Sequence, residues 1–243
     1  MKDEMQKQIA SLPPELREGF QGIIDLMPDD PELHPALKSW VYETAMGEYM
    51  KHPYVFMNLN PFSNPNKFYE QKRRIRRDYI NDRNLSGMIF AVERPWRMNK
   101  LANMYRHYVI SLDELRELLP GIWTDIEAPQ AQQREPLELF RECKFVTDDP
   151  EGWEKLPENF KLYRGVDGTF ELTADGPSWT LDLEIARFFG FRFGAAGTVY
   201  GYDASKDEAL AYITGRSEAE IILDWDYKSD PKSIYEVESH EPS

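Results

Sequence analysis

Apolar residues recur along this chain at two different periods, and the change of period divides it. Up to about residue 110 the helical spacing dominates. Leu16, Phe20, Ile23, Ile24 and Met27 share one face of a 3.6-residue helix until Pro28-Asp29-Asp30 stops it, and Leu33, Leu37, Trp40, Val41 and Thr44 repeat that spacing. Residues 53–66, with Pro53, Pro61, Pro65 and repeated asparagines, read as a loop, while Leu85–Val92 is a short apolar run of strand length. Leu101, Met104, Tyr105 and Tyr108 then return to the helical period. Ser111-Leu112-Asp113-Glu114 has the capping-box pattern and predicts a helix over Leu112–Leu119, ended by Pro120-Gly121. Ala128–Glu135, rich in glutamine, reads as a surface linker, and Asp148–Gly152 as a turn.

From about residue 160 the period shortens toward two. Phe160-Lys161-Leu162-Tyr163 alternates as a half-buried strand does and delivers Arg164 and Gly165 at its end. Gly176-Pro177 signals a turn, after which Ser178 and Thr180 lie two apart, on the same side of an extended segment. Leu181, Ile185, Phe188 and Phe189 recur at helical spacing, with Thr180 placed to cap that helix and Asp182 and Glu184 in its first turn. Ile221-Ile222-Leu223 reads as a short buried strand. Glu218 and Glu220, one residue apart just before it, point the same way in extended geometry. Ser233–Glu238 alternates as a last strand, followed by a frayed acidic tail.

Composition narrows the classes. The 243 residues are 41% hydrophobic, enough for a packed core, and the net charge of −14 argues against a whole surface that binds nucleic acid or anionic membrane. One segment departs from that balance: Lys67–Arg83 carries seven basic and three acidic residues, a net charge of +4. Its basic part, Lys67–Arg77, suits an acidic partner or RNA, but a solvated helix face paired with acids elsewhere is the ordinary outcome and the expectation here. The single cysteine, Cys143, excludes an internal disulfide and reads as a small buried hydrophobe in a reducing compartment. Four scattered histidines without cysteine partners give no metal site. No signal pattern and no membrane-length apolar run is apparent, so the expectation is a soluble cytoplasmic protein.

The candidate chemistry is a set of residue types in order: an arginine suited to phosphate, a hydroxyl pair, and two carboxylates on one rim. Arg164, Ser178-Trp179-Thr180 and Glu218-Ala219-Glu220 resemble the arginine–serine–glutamate class of mono-ADP-ribosyltransferases, across roughly the C-terminal third of the chain. The forty-residue step from Ser178 to Glu218 falls within that family's range. Two departures stand out, a short connection between Arg164 and Ser178 and a bulky Trp179 inside the hydroxyl triplet.

The resemblance implies roles. Arg164 would bind the diphosphate of NAD, Gly165 would offer backbone groups to the nicotinamide amide, and Phe189 would pack on the nicotinamide ring. Ser178 would orient Glu220, and Thr180 would hold the strand pair together. Glu220 would stabilise the charge on the ribose as the glycosidic bond breaks, and Glu218 would position and deprotonate the acceptor, which for a Glu-x-Glu pair is arginine on a protein target. The expected fold is α+β, a helical region over residues 1–105 joined to a two-sheet ADP-ribosyltransferase-like domain over 106–243. A phage- or bacterium-encoded enzyme acting inside a bacterial cell fits that picture. NAD hydrolysis is the alternative reaction, and a non-catalytic binding or virion-associated protein on the same fold is the alternative class.

Overall fold

A computed structural model describes residues 2–25, 32–60, 62–126, 134–168, 176–192, 196–224 and 234–240. Pro28-Asp29-Asp30, the linker residues up to Gln133 and residues 241–243 of the acidic tail lie outside them. Elements follow in the order α1 (Lys2–Ala10), α2 (Pro14–Asp25), β1 (Val41–Thr44), β2 (Gly47–His52), β3 (Val55–Asn58), α3 (Pro65–Asn81), α4 (Leu85–Phe90), α5 (Arg97–Arg106), α6 (Leu112–Asp125) and α7 (Arg134–Cys143). Then come β4 (Val146–Thr147), α8 (Pro150–Lys155), β5 (Asn159–Asp167), β6 (Ser178–Thr180), α9 (Leu183–Phe191), β7 (Gly197–Ser205), β8 (Ala209–Ile213), β9 (Glu220–Leu223) and β10 (Ile234–His240). The class is α+β. Two compact units divide the chain, Met1–Trp96 and Arg97–Ser243, so α5 belongs with the second.

The first unit is less helical than the hydrophobic period implies. Pro35 to Trp40 form only a 3₁₀ turn, capped by the His34 ring, and Val41–Thr44 is a strand. Tertiary pairing wins there because Val41, Tyr42 and Thr44 are strand-prone, and Gly47, at φ +104°, closes a tight hairpin to β2. Residues 55–58, expected as loop, add the third strand. Leu37, Met50 and Val55 are buried between this small sheet and Tyr69 of α3. The run at Leu85–Val92 is a helix rather than a strand. The Asn84 side chain accepts from the Gly87 amide at 2.7 Å, and that N-cap resolves an apolar run whose period fits either state. The basic stretch forms α3, where Lys72 pairs with Glu93 and Arg73 with Glu70.

The second unit is built on a seven-stranded sheet of order β10-β7-β5-β6-β9-β8-β4, antiparallel except for the β4–β8 pair. β5 pairs with β7 along its whole length but meets β6 at one residue pair, Tyr163 with Thr180. That single pair joins β5 to β6. Helix α9 lies on β5 at backbone contact distance. A Cβ on Gly165 would stand 1.9 Å from the Ala186 carbonyl oxygen and 2.4 Å from the Gly190 nitrogen, so only glycine admits the helix. The N-cap of α9 is Asp182, not Thr180: its carboxylate accepts from the Glu184 amide at 2.7 Å.

Helices α5, α6 and α7 pack on one another and reach β4 and β8, burying Leu101, Leu115, Leu119, Ile122 and Phe140. The capping box at Ser111 and Glu114 forms as expected, but the helix does not stop at Pro120-Gly121. It runs through buried Pro120 to Asp125, because burial of Ile122 and Trp123 outweighs the one backbone bond that proline forgoes. Cys143 is buried, and burial pushes its thiol up to about 11.

Candidate active site at the strand seam

Register places the candidate groups. Ser178 pairs with Ile222 and Thr180 with Glu220, so Ser178, Thr180 and Glu220 share one face of the β6–β9 pair, while Trp179 and Ile221 point to the other. Trp179 is 1% exposed, donates its indole N–H to the Gly176 carbonyl at 2.8 Å and lies in the core with Leu162 and Leu223. Its bulk therefore never enters the face that carries the polar groups.

Hydrogen bonds to the backbone and to the side chain of Ser178 join three of the expected residues. Arg164 Nη1 donates to the Ser178 carbonyl at 2.6 Å, and the Ser178 hydroxyl donates to Glu220 Oε1. Arg164 sits inside β5 rather than at its end, next to Tyr163, the residue that pairs with β6. A Cβ on Gly176 would stand 2.5 Å from Arg164 Nη2, so the guanidinium packs directly against the turn before β6.

Glu218 enters by its backbone. It is not extended: its φ is −91° and ψ −11°, and Ala219 takes φ +44°, so the pair does not share the strand geometry expected of it. The Thr180 hydroxyl donates to the Glu218 carbonyl at 2.6 Å and accepts from the Asp182 amide at 3.0 Å, and the Leu181 amide donates to the Ala219 carbonyl. Arg216 and Ser217 also have positive φ, near +60°. Three left-handed non-glycine residues in one short segment store strain that the surroundings must hold. Asp148 supplies part of that hold, accepting from the Thr214 amide at 2.8 Å, the Thr214 hydroxyl at 3.1 Å and the Gly215 amide at 3.2 Å.

A further residue, absent from the sequence expectations, completes the site. Trp123 of α6 donates its indole N–H to Glu220 Oε2 at 2.9 Å, so each carboxylate oxygen has a donor. The sequence signal was an indole one turn beyond a proline assumed to end the helix. Burial pushes the Glu220 carboxyl above its ordinary range, and the bonds from Ser178 and Trp123 pull it back down. Glu218 opposes its ionisation and Arg164 favours it. Burial also raises Glu218, against the nearby charge of Arg216.

The remaining expected residues stand apart from this network. Gly165 serves the approach of α9 to β5. Phe189 lies on α9, edge to face with Phe188 at 5.5 Å and under the Arg192 guanidinium at 5.2 Å. Among the described residues no group of three or more His, Cys, Asp or Glu side chains is placed to hold a metal, and no helix is long and apolar enough to cross a membrane. Comparison with protein-family models, with curated proteins and with solved structures gave no match.

Proposed function

We propose that this chain transfers ADP-ribose from NAD to an arginine side chain of a protein target, releasing nicotinamide. One observation carries the proposal. Arg164, Ser178 and Glu220, fourteen and then forty-two residues apart, meet at one strand pair: Arg164 holds the Ser178 carbonyl, and the Ser178 hydroxyl holds Glu220. A guanidinium suits a diphosphate, and a desolvated carboxylate gripped at both oxygens suits a positive charge that develops beside it.

The residues divide the work by what their atoms can do. Glu220 faces the ribose and stabilises its charge as the bond from C1′ to the nicotinamide nitrogen breaks, the electron pair leaving with nicotinamide. An arginine nitrogen of the target then bonds to C1′, and its proton passes to Glu218. A carboxyl raised by burial is the stronger base for that step. Ser178 keeps Glu220 oriented, and Thr180 fixes the backbone from which Glu218 projects.

The test is incubation of the protein with NAD labelled in the ADP-ribose moiety, together with arginine-bearing protein. Label on protein that hydroxylamine removes supports transfer to arginine. Nicotinamide release without labelled protein supports hydrolysis instead, and an intact NAD pool would reject both reactions.

A further inference from the structure

We infer that Trp123 is a positioning residue for Glu220, its indole N–H holding Oε2 so that the carboxylate is presented in one orientation. For its kinetic consequence the inference rests on the reaction proposed above. Three observations carry it. First, the bond is 2.9 Å long and comes from a helix 97 residues before Glu220, outside every strand of the sheet. Second, the indole has little freedom to do anything else: Trp123 is 7% exposed, with the Phe140 ring edge-on at 5.4 Å. Third, the next residue of the same helix turn seats the loop that carries the other glutamate, because a Cβ on Gly215 would stand 2.7 Å from Thr124 Oγ1.

The two donors are not equivalent. A serine hydroxyl gives or accepts a hydrogen bond, so Ser178 is satisfied by a carboxylate or by a protonated carboxyl. An indole N–H only donates. Trp123 therefore requires an acceptor at Oε2 and disfavours rotation that would turn a hydroxyl toward it, and its bond is stronger to the charged carboxylate than to the carbonyl oxygen of a protonated carboxyl. The other charges that act on Glu220 are Glu218, which opposes ionisation, and Arg164, which favours it. Among these groups Trp123 fixes which oxygen must accept, and it is the uncharged donor that favours ionisation from the Oε2 side.

Trp123→Phe keeps most of the apolar packing and removes the N–H. The expected result is a fall of about tenfold or more in kcat for nicotinamide release, with KM for NAD within about twofold. The acid limb of the kcat/KM profile should also move to higher pH. Phe140→Leu loosens the same packing but keeps the donor, and should lower stability without moving the acid limb. A Trp123→Phe enzyme with unchanged kcat and acid limb would overturn the inference, as would an equal shift of the limb in Phe140→Leu. The wild-type chain gives a second, independent measurement. The Trp123 indole N–H resonance should follow a single titration that is lost in Glu220→Gln, and a resonance indifferent to both overturns the coupling even if Trp123→Phe does not fold. A wild-type chain that leaves NAD intact would sink the proposed reaction, and the resonance would still decide whether Trp123 and Glu220 are coupled.

Discussion

Ser178 on β6 donates its hydroxyl hydrogen to a carboxylate oxygen of Glu220 on β9, across a strand pair whose register makes the two residues diagonal neighbours on one face. Ser178→Ala removes that donor and leaves the strand pairing untouched. Glu220 loses one of the two bonds that counter its burial, so its pKa rises further and the acid limb of the rate profile moves up. We expect a fall in NAD cleavage of about a hundredfold, read from nicotinamide release, with little change in melting temperature.

Replacing the carboxylates should separate the two steps. Glu220→Gln is expected to abolish both NAD cleavage and transfer. Glu218→Gln should lose transfer to arginine but retain some cleavage, since it faces the acceptor in the proposed reaction. Equal activity of both variants and the parent in the labelled-NAD assay would reject these roles.

Glu220→Gln should also be the more stable protein at neutral pH. Burial raises the Glu220 pKa in the folded state, so folding favours the protonated carboxyl. That stability is complete below the ordinary carboxylate range and is lost as pH climbs through the raised folded value. Glutamine carries no charge to desolvate. Its amide oxygen can accept from Trp123, while its NH₂ donates to a Ser178 hydroxyl turned to accept. The expected gain is about 2–4 °C in melting temperature at pH 7, shrinking toward zero near pH 4. A melting temperature that drops at pH 7 would contradict this account.

Gly165→Ala tests the contact of α9 with β5. The added methyl would meet backbone on both sides, the Ala186 carbonyl and the Gly190 nitrogen, and neither can swing aside as a side chain would. A loss of about 2–3 kcal/mol in urea unfolding is expected, with activity falling because Arg164 is the adjacent residue.

Asp148→Ala should act on the acceptor step alone. It removes the carboxylate that receives Thr214 and Gly215, at the start of the strained segment leading to Glu218. Transfer to arginine is expected to fall about tenfold, while nicotinamide release stays within about twofold. A parallel loss of both would place the effect on Glu220 instead.

Much of the second unit was legible because its signals are local. Alternation at Phe160–Tyr163 marked β5, the two-residue spacing put Ser178 and Thr180 on one face, and Ser111 with Glu114 announced the start of α6. Where local signals conflicted, the expectation failed. Val41–Thr44 has helical spacing but strand-prone side chains, and a hairpin partner decided it. Leu85–Val92 fits either period, and the Asn84 cap decided it. Pro120-Gly121 looked like a helix end, and that one misjudgement hid Trp123, whose burial keeps the helix going.

The amino-acid order by itself determined which groups were available for chemistry, Arg164, Ser178, Thr180, Glu218 and Glu220, because residue type and short-range spacing are written in the chain. It also determined most of the strands that carry them, since a period of two needs only neighbours to be recognised. Only the tertiary structure decided that the hydroxyl of Ser178 and the indole of Trp123 grip opposite oxygens of one carboxylate. Strand register and helix docking depend on burial summed over residues far apart in sequence, and no local pattern encodes that sum.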